Sequence, residues 1–225
     1  MSGSARSYAD RVMAGCFLAE KLLEYKGQST IVVGLPRGGV VVAAEIARSL
    51  SCPLDVIVAG KLRAPFNPEL AIGAVTEDGR VFLNKGVITG ALITDAYIEK
   101  EKKARLSAVL EKLKLYRKVK GKTSLKDRTV IIVDDGLATG ATMIAAVQAA
   151  KAEGAAKIIV AVPGGPMDTV ERIKGMEEVD TVVCPVIPEE FFAVSQLYLD
   201  FTQTQDSEVV GILKEFSGKE FPAGG

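Results

Sequence analysis

The chain contains no histidine and no tryptophan among its 225 residues. Without histidine, a Ser-His-Asp triad, a Cys-His pair and a histidine-ligated metal are all excluded. Any chemistry must therefore use carboxylates, lysine, arginine, backbone amides or a metal that arrives with a ligand. The three cysteines, Cys16, Cys52 and Cys184, are odd in number and lack metal-binding spacing, which predicts small buried thiols in a reducing compartment.

An excess of one charge and a long apolar run are also absent. Lys plus Arg equals Asp plus Glu at 28 each, so the composition does not indicate binding to nucleic acid or to an acidic membrane. The apolar runs are too short to span a bilayer. The segment 1–11 lacks the apolar core of a signal peptide. These absences predict a cytoplasmic protein without a nucleic-acid or membrane partner.

Short apolar runs alternate with helical segments along the chain. The spacing predicts strands at 31–34, 55–59, 129–133, 157–162 and 181–184. It predicts helices at 10–25, 40–50, 95–120, 139–153 and 168–175. Because the strands are short and mainly apolar and alternate with helices, we expect an α/β fold in which helices cover both faces of a doubly wound, mainly parallel five-stranded sheet.

Residues 62–128 interrupt this alternation. Two short apolar segments flank an Asp-Gly pair, which is typical of a hairpin turn, and a long charged helix follows. The basic end of that helix, from Arg117 to Lys122, is interpreted as a solvated face. We predict one domain over 1–225, with this hairpin-plus-helix excursion as a candidate lid and a small hood or tail at 185–225.

The strongest candidate site follows the strand predicted at 129–133. Two acids, Asp134 and Asp135, emerge at its end, where each can accept a hydrogen bond from one of two neighbouring sugar hydroxyls. A loop of small residues then leads into a helix, whose free N–H groups and positive dipole end favour phosphate. The loop consists of Gly136, Leu137, Ala138, Thr139, Gly140, Ala141 and Thr142. A vicinal diol beside a phosphate is the pattern of a ribose 5-phosphate.

A purely structural interpretation of the same run is available. The acids Asp134 and Asp135 would then cap the helix, and the loop would be an ordinary connection between a strand and a helix. That interpretation does not explain why two acids, two glycines and two threonines occur together at this spacing. We therefore favour a sugar-phosphate site.

A second glycine loop, Pro36, Arg37, Gly38 and Gly39, follows the strand predicted at 31–34. Its glycines free the backbone for a close approach to an anion, and Arg37 can offer a charged fork to phosphate oxygens. The loop lacks the G-x-G-x-x-G spacing of a dinucleotide site, and the chain has no Walker A motif. Taken alone, it indicates an anion site of unspecified kind.

The thirteen residues 130–142 resemble the phosphoribosyl pyrophosphate signature of the type I phosphoribosyltransferases, and residues 61–75 resemble a stretch from an uncharacterised group of that family. The resemblance implies that Asp134 and Asp135 contact the ribose 2- and 3-hydroxyls and that the loop 136–142 holds the 5-phosphate. It also implies that the loop 36–39 holds pyrophosphate. Lys61, at a predicted strand end, is a further candidate for pyrophosphate, and a solvated lysine is the alternative.

The same resemblance implies a reaction in which a nitrogen nucleophile, usually of a nucleobase, displaces pyrophosphate from C1 of the sugar. Mg²⁺ is expected to arrive bound to oxygens of the substrate, so no residue is predicted as a direct metal ligand. The implied partners are phosphoribosyl pyrophosphate and an acceptor base, and a homodimer is compatible with the resemblance. None of these steps requires histidine.

The sequence restricts the acceptor only in part. Family members that act on 6-oxopurines carry an acid shortly after the acidic pair, whereas Leu137 and Ala138 occupy that region here. The small residue at 138 is closer to the adenine or orotate pattern. Four of the chain's thirteen aromatic residues, Phe191, Phe192, Tyr198 and Phe201, cluster in the predicted hood. They are interpreted either as a surface that stacks on a base or as core.

Two other functions compete with a transferase. A non-catalytic protein of this fold that senses phosphoribosyl pyrophosphate or a nucleotide would carry the same motifs. The intact acid pair, the glycine loop and Lys61 favour the enzyme. A phosphoacceptor domain with an acidic Mg²⁺ pocket would need an acceptor aspartate at another strand end, and residues 56–61 offer none.

Overall fold

The protein was analysed as a computed structural model that describes residues 8–83, 85–90, 92–219 and 221. The predicted N-terminal segment before residue 8, two positions of the excursion and the end of the predicted tail therefore lie outside the described residues. The strands are β1 (Thr30–Gly34), β2 (Leu54–Val56), β3 (Ala59–Ala64), β4 (Asn67–Thr76), β5 (Val81–Leu83), β6 (Thr129–Val133), β7 (Lys157–Ala161) and β8 (Thr181–Val183). The α-helices are α1 (Arg11–Lys21), α2 (Gly38–Leu50), α3 (Lys85–Gly90), α4 (Asp95–Arg117), α5 (Ala141–Ala152), α6 (Met167–Lys174) and α7 (Asp206–Glu215). Single 3-10 turns cover Leu23–Tyr25 and Val194–Leu197.

Five strands form a parallel sheet in the order β2-β1-β6-β7-β8. Alternate residues of each strand face opposite sides, so the uninterrupted Ile/Val runs supply two cores at once. Val32 and Ile131 pack on the side of α1, α2 and α7. Val33 and Ile132 pack on the side of α5 and α6. The predicted doubly wound α/β fold with a five-stranded parallel sheet is confirmed.

A second, antiparallel sheet of three strands, β3-β4-β5, occupies the first part of the excursion. The β4–β5 turn contains Gly79 at φ 78°, as the Asp-Gly pair predicts. The strand predicted at 55–59 is wrong in its extent, because β2 ends at Val56 and the chain enters β3 at Ala59. Ile57 and Val58, which connect the two sheets along the chain, are buried, which explains why they resemble a continuing strand.

Helix α1 buries a face of small residues. Ala14 and Leu18 are fully buried, whereas the larger Met13 is half exposed. Cys16 lies on the same exposed side, so the prediction that all three cysteines are buried is wrong for Cys16; Cys184 is partly buried, and only Cys52 is fully buried. Small side chains let α1 and α2 approach closely, since a Cβ atom at Gly15 would lie 2.7 Å from the carbonyl oxygen of Val42 in α2. Within the described residues, no helix combines the length and apolar character needed to cross a membrane.

The basic end of α4 is only in part a solvated face, because Lys118 and Lys122 are exposed but Arg117 is half-buried. Nη1 of Arg117 lies 2.5 Å from Oδ1 of Asp55, a β2 residue whose side chain is 3% exposed. Backbone amides of Val56 and Thr123 also donate to this carboxylate, at 2.7 and 2.6 Å. Lys122 pairs with glutamates on either side of it. These residues fasten the end of the excursion to the edge of the parallel sheet, which a helical charge pattern alone does not reveal.

The Asp55–Arg117 pair gives the first prediction. Arg117→Met should lower the free energy of unfolding by about 3 kcal/mol, because it leaves a buried carboxylate without its cation. Urea unfolding followed by circular dichroism measures the loss. The matched control is Arg80→Met, since the exposed Arg80 pairs with Asp78 on a turn and should contribute about 0–1 kcal/mol. Equal losses in the two variants would contradict the structural role of Arg117.

Candidate functional site

The two loops singled out by the sequence leave the sheet side by side. In the parallel pairing of β1 with β6, Gly34 lies opposite Val133. The amide of Leu35 continues the pairing by donating to the carbonyl of Val133 at 2.9 Å. The loop 35–39 therefore starts beside the acids that follow β6, at the carboxyl end of the sheet, where ligands bind in open α/β folds.

Gly38 and Gly39 place their backbone directly against the acid pair. A Cβ atom at Gly38 would overlap Oδ2 of Asp135. At Gly39, a Cβ atom would lie 2.8 Å from the Cα of Asp134. Both contacts are too close for any side chain, so this approach of the two loops requires glycine at both positions. The predicted pyrophosphate loop and the predicted acid pair are thus brought together.

The acid pair is held by contacts that the sequence did not indicate. Oδ1 of Asp134 accepts a hydrogen bond from the amide of Asp135 at 2.9 Å. Oδ2 of Asp135 accepts one from Nε of Arg11 at 2.8 Å. The hydroxyl of Tyr198 donates to the carbonyl of Asp135 at 2.6 Å. Residues from the first helix and from the predicted hood therefore meet on Asp135.

Two neighbouring carboxylates in a partly enclosed site do not ionise independently. Removal from water and the negative charge of Asp135 raise the pKa of Asp134 well above its ordinary value. The amide of Asp135 and the charge of Arg11 oppose this rise less strongly. Burial likewise raises the pKa of Tyr198, so its hydroxyl remains a hydrogen-bond donor at neutral pH.

Arg37 lies at the start of α2, next to the acid pair. Its Nη1 is 3.8 Å from Oδ2 of Asp206, the first residue of α7. The other oxygen of Asp206 accepts a hydrogen bond from the hydroxyl of Tyr116 in α4, at 2.5 Å. Tyr116 is fully buried. Arg37 is therefore connected through Asp206 to the long helix of the excursion.

The loop after the acids divides into a buried and an exposed part. Leu137 is buried, and its amide donates to the carbonyl of Gly164 at 2.9 Å. Ala138 and Thr139 are exposed, and Gly140 adopts φ 71° before α5 begins at Ala141. The predicted helix start at residue 139 is thus two residues early.

Helix α6 fixes the carbonyl groups of the exposed part. The hydroxyl of Thr169 donates to the carbonyl of Ala138 at 3.0 Å, and the guanidinium of Arg172 donates to that of Thr139. Among described backbone groups, no carbonyl accepts a hydrogen bond from the amides of residues 138–142. These amides, at the start of α5, are available to an anion.

The predicted site residues line two cavities. The acid cavity, of about 470 Å³, is lined by Arg11, Pro36, Arg37, Gly38, Asp134, Asp135, Phe201, Gln203 and Thr204. A second cavity of about 830 Å³, here called the loop cavity, contains Ala138, Thr139 and Ala141 together with apolar residues of β4, β5 and α3. The acid pair and the loop 36–39 therefore share one cavity, and the exposed loop opens into the other.

Lys61 does not lie where the sequence predicted. It occupies the interior of β3, where it pairs with Ala74 across the small antiparallel sheet. The prediction of a strand end is wrong because β3 begins two residues earlier, at Ala59. Lys61 lines neither the acid cavity nor the loop cavity. Its role in pyrophosphate binding stays a prediction.

The raised pKa of Asp134 gives a second prediction. Because this pKa is higher in the folded than in the unfolded chain, the folded state loses stability as the pH rises through the folded value. Asp134→Asn should therefore raise the unfolding temperature at neutral pH. The gain should disappear as the pH falls below the ordinary aspartate value of about 3.9. Calorimetric unfolding of the wild type and of Asp134→Asn across a pH series measures this gain in unfolding temperature.

A matched control uses the exposed Asp168. Asp168→Asn makes the same chemical change at the start of α6 and should give no such gain. An Asp134→Asn protein less stable than the wild type at neutral pH would contradict the raised pKa.

Comparisons with known proteins agree with this architecture. A family profile described as a phosphoribosyl transferase domain matches residues 7–202. Two curated relatives from two strains of Mycobacterium tuberculosis are 47% identical over 206 residues, which is 92% of this chain and 46% of each relative. Both relatives are named as phosphoribosyl transferases, and the names mark this assignment as provisional. The chain thus spans about half the length of these relatives.

A solved structure extends the comparison to three dimensions. The crystal structure of TT1426 from Thermus thermophilus is 41% identical to this chain and superimposes with a TM-score of 0.81. The match covers 94% of this chain and 100% of that one. The predicted family is confirmed by the profile match and by the identity to the relatives. This chain belongs to the phosphoribosyl transferase domain family.

Proposed function

We propose that this chain is a phosphoribosyltransferase that uses phosphoribosyl pyrophosphate and Mg²⁺ to transfer a 5-phosphoribosyl group to a nitrogen nucleophile, with release of pyrophosphate. The acceptor is proposed to be a nucleobase. Membership of the family supports the general reaction. The identity of the sugar donor and the acceptor is proposed on the chemistry of the site.

One observation carries the proposal. The acid pair, Asp134 and Asp135, and the glycine loop that contains Arg37 line the same cavity and touch each other. A sugar that carries pyrophosphate at C1 requires two kinds of group side by side. Its hydroxyls need oxygens that accept hydrogen bonds, and its pyrophosphate needs groups that donate them. The sugar 2- and 3-hydroxyls would donate to the carboxylates, while Arg37 and the loop backbone would bind pyrophosphate oxygens.

The proposed reaction depends on holding the sugar and the pyrophosphate, the two groups that are joined by the bond that breaks. The C1–oxygen bond to pyrophosphate breaks as a C1–nitrogen bond to the acceptor forms, and the leaving group keeps the electron pair. Positive charge grows on the sugar in between, beside the carboxylates of Asp134 and Asp135. Arg37 would stabilise the negative charge that develops on pyrophosphate. The amides of residues 138–142 would hold the 5-phosphate as a fixed point.

The residues present are compatible with Mg²⁺ held mainly by the substrate. The carboxylates of Asp134 and Asp135 in the acid cavity would contact the ion only through sugar hydroxyls or water. The described residues contain no group of three or more histidine, cysteine or acidic side chains suited to a metal ion. Substrate oxygens and water would therefore supply the coordination. When bound, the ion would neutralise charge on pyrophosphate.

The proposal is tested by calorimetric titration with phosphoribosyl pyrophosphate, with and without Mg²⁺, followed by a screen for pyrophosphate release with different nucleobases. We expect Mg²⁺-dependent binding, and release with one base or a few. Asp135→Asn is the negative control, because losing a charge-assisted hydrogen bond costs about 1.5–3 kcal/mol of binding. Binding without release from any base would favour the sensor alternative. No binding at all would overturn both.

A more specific prediction concerns Arg37, which is proposed to contact pyrophosphate but not ribose. Arg37→Ala should weaken pyrophosphate binding about tenfold or more and leave the affinity for ribose 5-phosphate nearly unchanged. Titration calorimetry with each ligand separates the two effects. Arg80→Ala, on an exposed turn, should change neither. Equal losses for both ligands in Arg37→Ala would refute the proposed role.

A further inference from the structure

Arg11 joins three parts of the chain at the acid cavity. Its Nε donates to Oδ2 of Asp135 at 2.8 Å, and its Nη1 donates to the carbonyl of Thr202 at 2.8 Å. Its guanidinium carbon lies 4.0 Å from the ring centroid of Phe201 and 5.7 Å from that of Tyr198. The side chain is 10% exposed. An arginine this enclosed and this fully engaged has little freedom to adopt another orientation.

These contacts leave one carboxylate oxygen of Asp135 for a ligand. Oδ2 is taken by Arg11 and lies against the backbone of Gly38. The main chain of Asp135 is fixed by Tyr198, whose hydroxyl binds its carbonyl. Among the described residues, no N–H group and no hydroxyl donates to Oδ1 of Asp135. The side chain is thus held by Arg11 at one oxygen, its carboxyl group also interacts with that of Asp134, and both acids line the acid cavity.

We propose that Arg11 is a positioning residue for the sugar site: it holds Asp135 so that Oδ1 faces the ribose hydroxyl, and it fastens the segment 198–202 beside the acid pair. This inference rests on the proposed function, since it assigns a role toward the sugar of phosphoribosyl pyrophosphate. Arg11 itself acts through Asp135. Neither the acid-pair motif nor the glycine loop contains it.

The charge of Arg11 also bears on the pH at which the site works. It lowers the pKa of Asp134, against the larger raising effects of burial and of Asp135. The ionisable groups around the acid pair come from α1, from the segment 198–202 and from the loop after β1. They are Arg11, Tyr198, Asp200 and Arg37, the last of which pairs with Asp206. Without Arg11, the pKa of Asp134 would rise further.

The test uses ribose 5-phosphate as the probe, titrated calorimetrically across a pH series into the wild type, Arg11→Gln and Arg11→Lys. Arg11→Gln should bind ribose 5-phosphate about tenfold or more weakly at neutral pH. As the pH is lowered, this variant should lose binding at a higher pH than the wild type does. Arg11→Lys keeps the positive charge and should recover the pH limit of the wild type, that is, the pH below which binding is lost. A role confined to packing would not produce this recovery.

Arg48→Gln is the matched control, because Arg48 also pairs with carboxylates, Glu45 and Glu215, away from the acid cavity. It should bind ribose 5-phosphate like the wild type. If Arg11→Gln does not fold, nuclear magnetic resonance of the wild type replaces the titration of this variant. The resonance of the Arg11 Nε–H proton should shift when ribose 5-phosphate is added. An unchanged resonance would overturn the inference.

The outcomes separate the inference from the proposed function. Wild-type protein that binds ribose 5-phosphate, together with an Arg11→Gln protein of equal affinity and pH limit, overturns the role of Arg11 alone. Equal losses at every pH in Arg11→Gln and Arg11→Lys also overturn it. Wild-type protein that does not bind ribose 5-phosphate overturns the proposed sugar site, and the role of Arg11 with it.

Discussion

The parallel register between β1 and β6 determines the geometry of the whole site. Because Gly34 pairs with Val133, the two loops leave the sheet at the same level, and Gly38 and Gly39 then lie against Asp134 and Asp135. A shift of one residue would turn every apolar side chain of one strand to the opposite face of the sheet. The two buried cores on either side of the sheet therefore fix the register, and the register fixes the contact between the loops.

The two acids at that contact concentrate negative charge, and other groups around them must balance it. Asp134 and Asp135 are adjacent, and enclosure raises the pKa of the first. The structure responds with a guanidinium on Oδ2 of Asp135 and a backbone amide on Oδ1 of Asp134. The charge is offset by these two donors, and the pair also lines the acid cavity.

The sequence predicted the features that depend on local pattern. The parallel strands other than β2, which contains Asp55, are mainly apolar on both faces, and this signal is present in each of them by itself. The acid pair and both glycine loops are contiguous runs. What the sequence could not reveal depends on contacts between distant segments: Arg11 is 124 positions from Asp135, and Arg117 is 62 from Asp55. The interior position of Lys61 in β3 was missed for the same reason, since it follows from how neighbouring strands pair.

The contacts around the acid cavity connect it to elements far from the acids along the chain. Arg11 ties the pair to α1 and to the segment 198–202. Arg37 pairs with Asp206 of α7, and the hydroxyl of Tyr116 binds the same carboxylate from α4. The pair Asp55–Arg117, one residue further along α4, fixes that helix end to β2. A displacement of α4 would therefore move the partner of Arg37, so the excursion can influence the loop 36–39 without contributing a residue to the acid cavity.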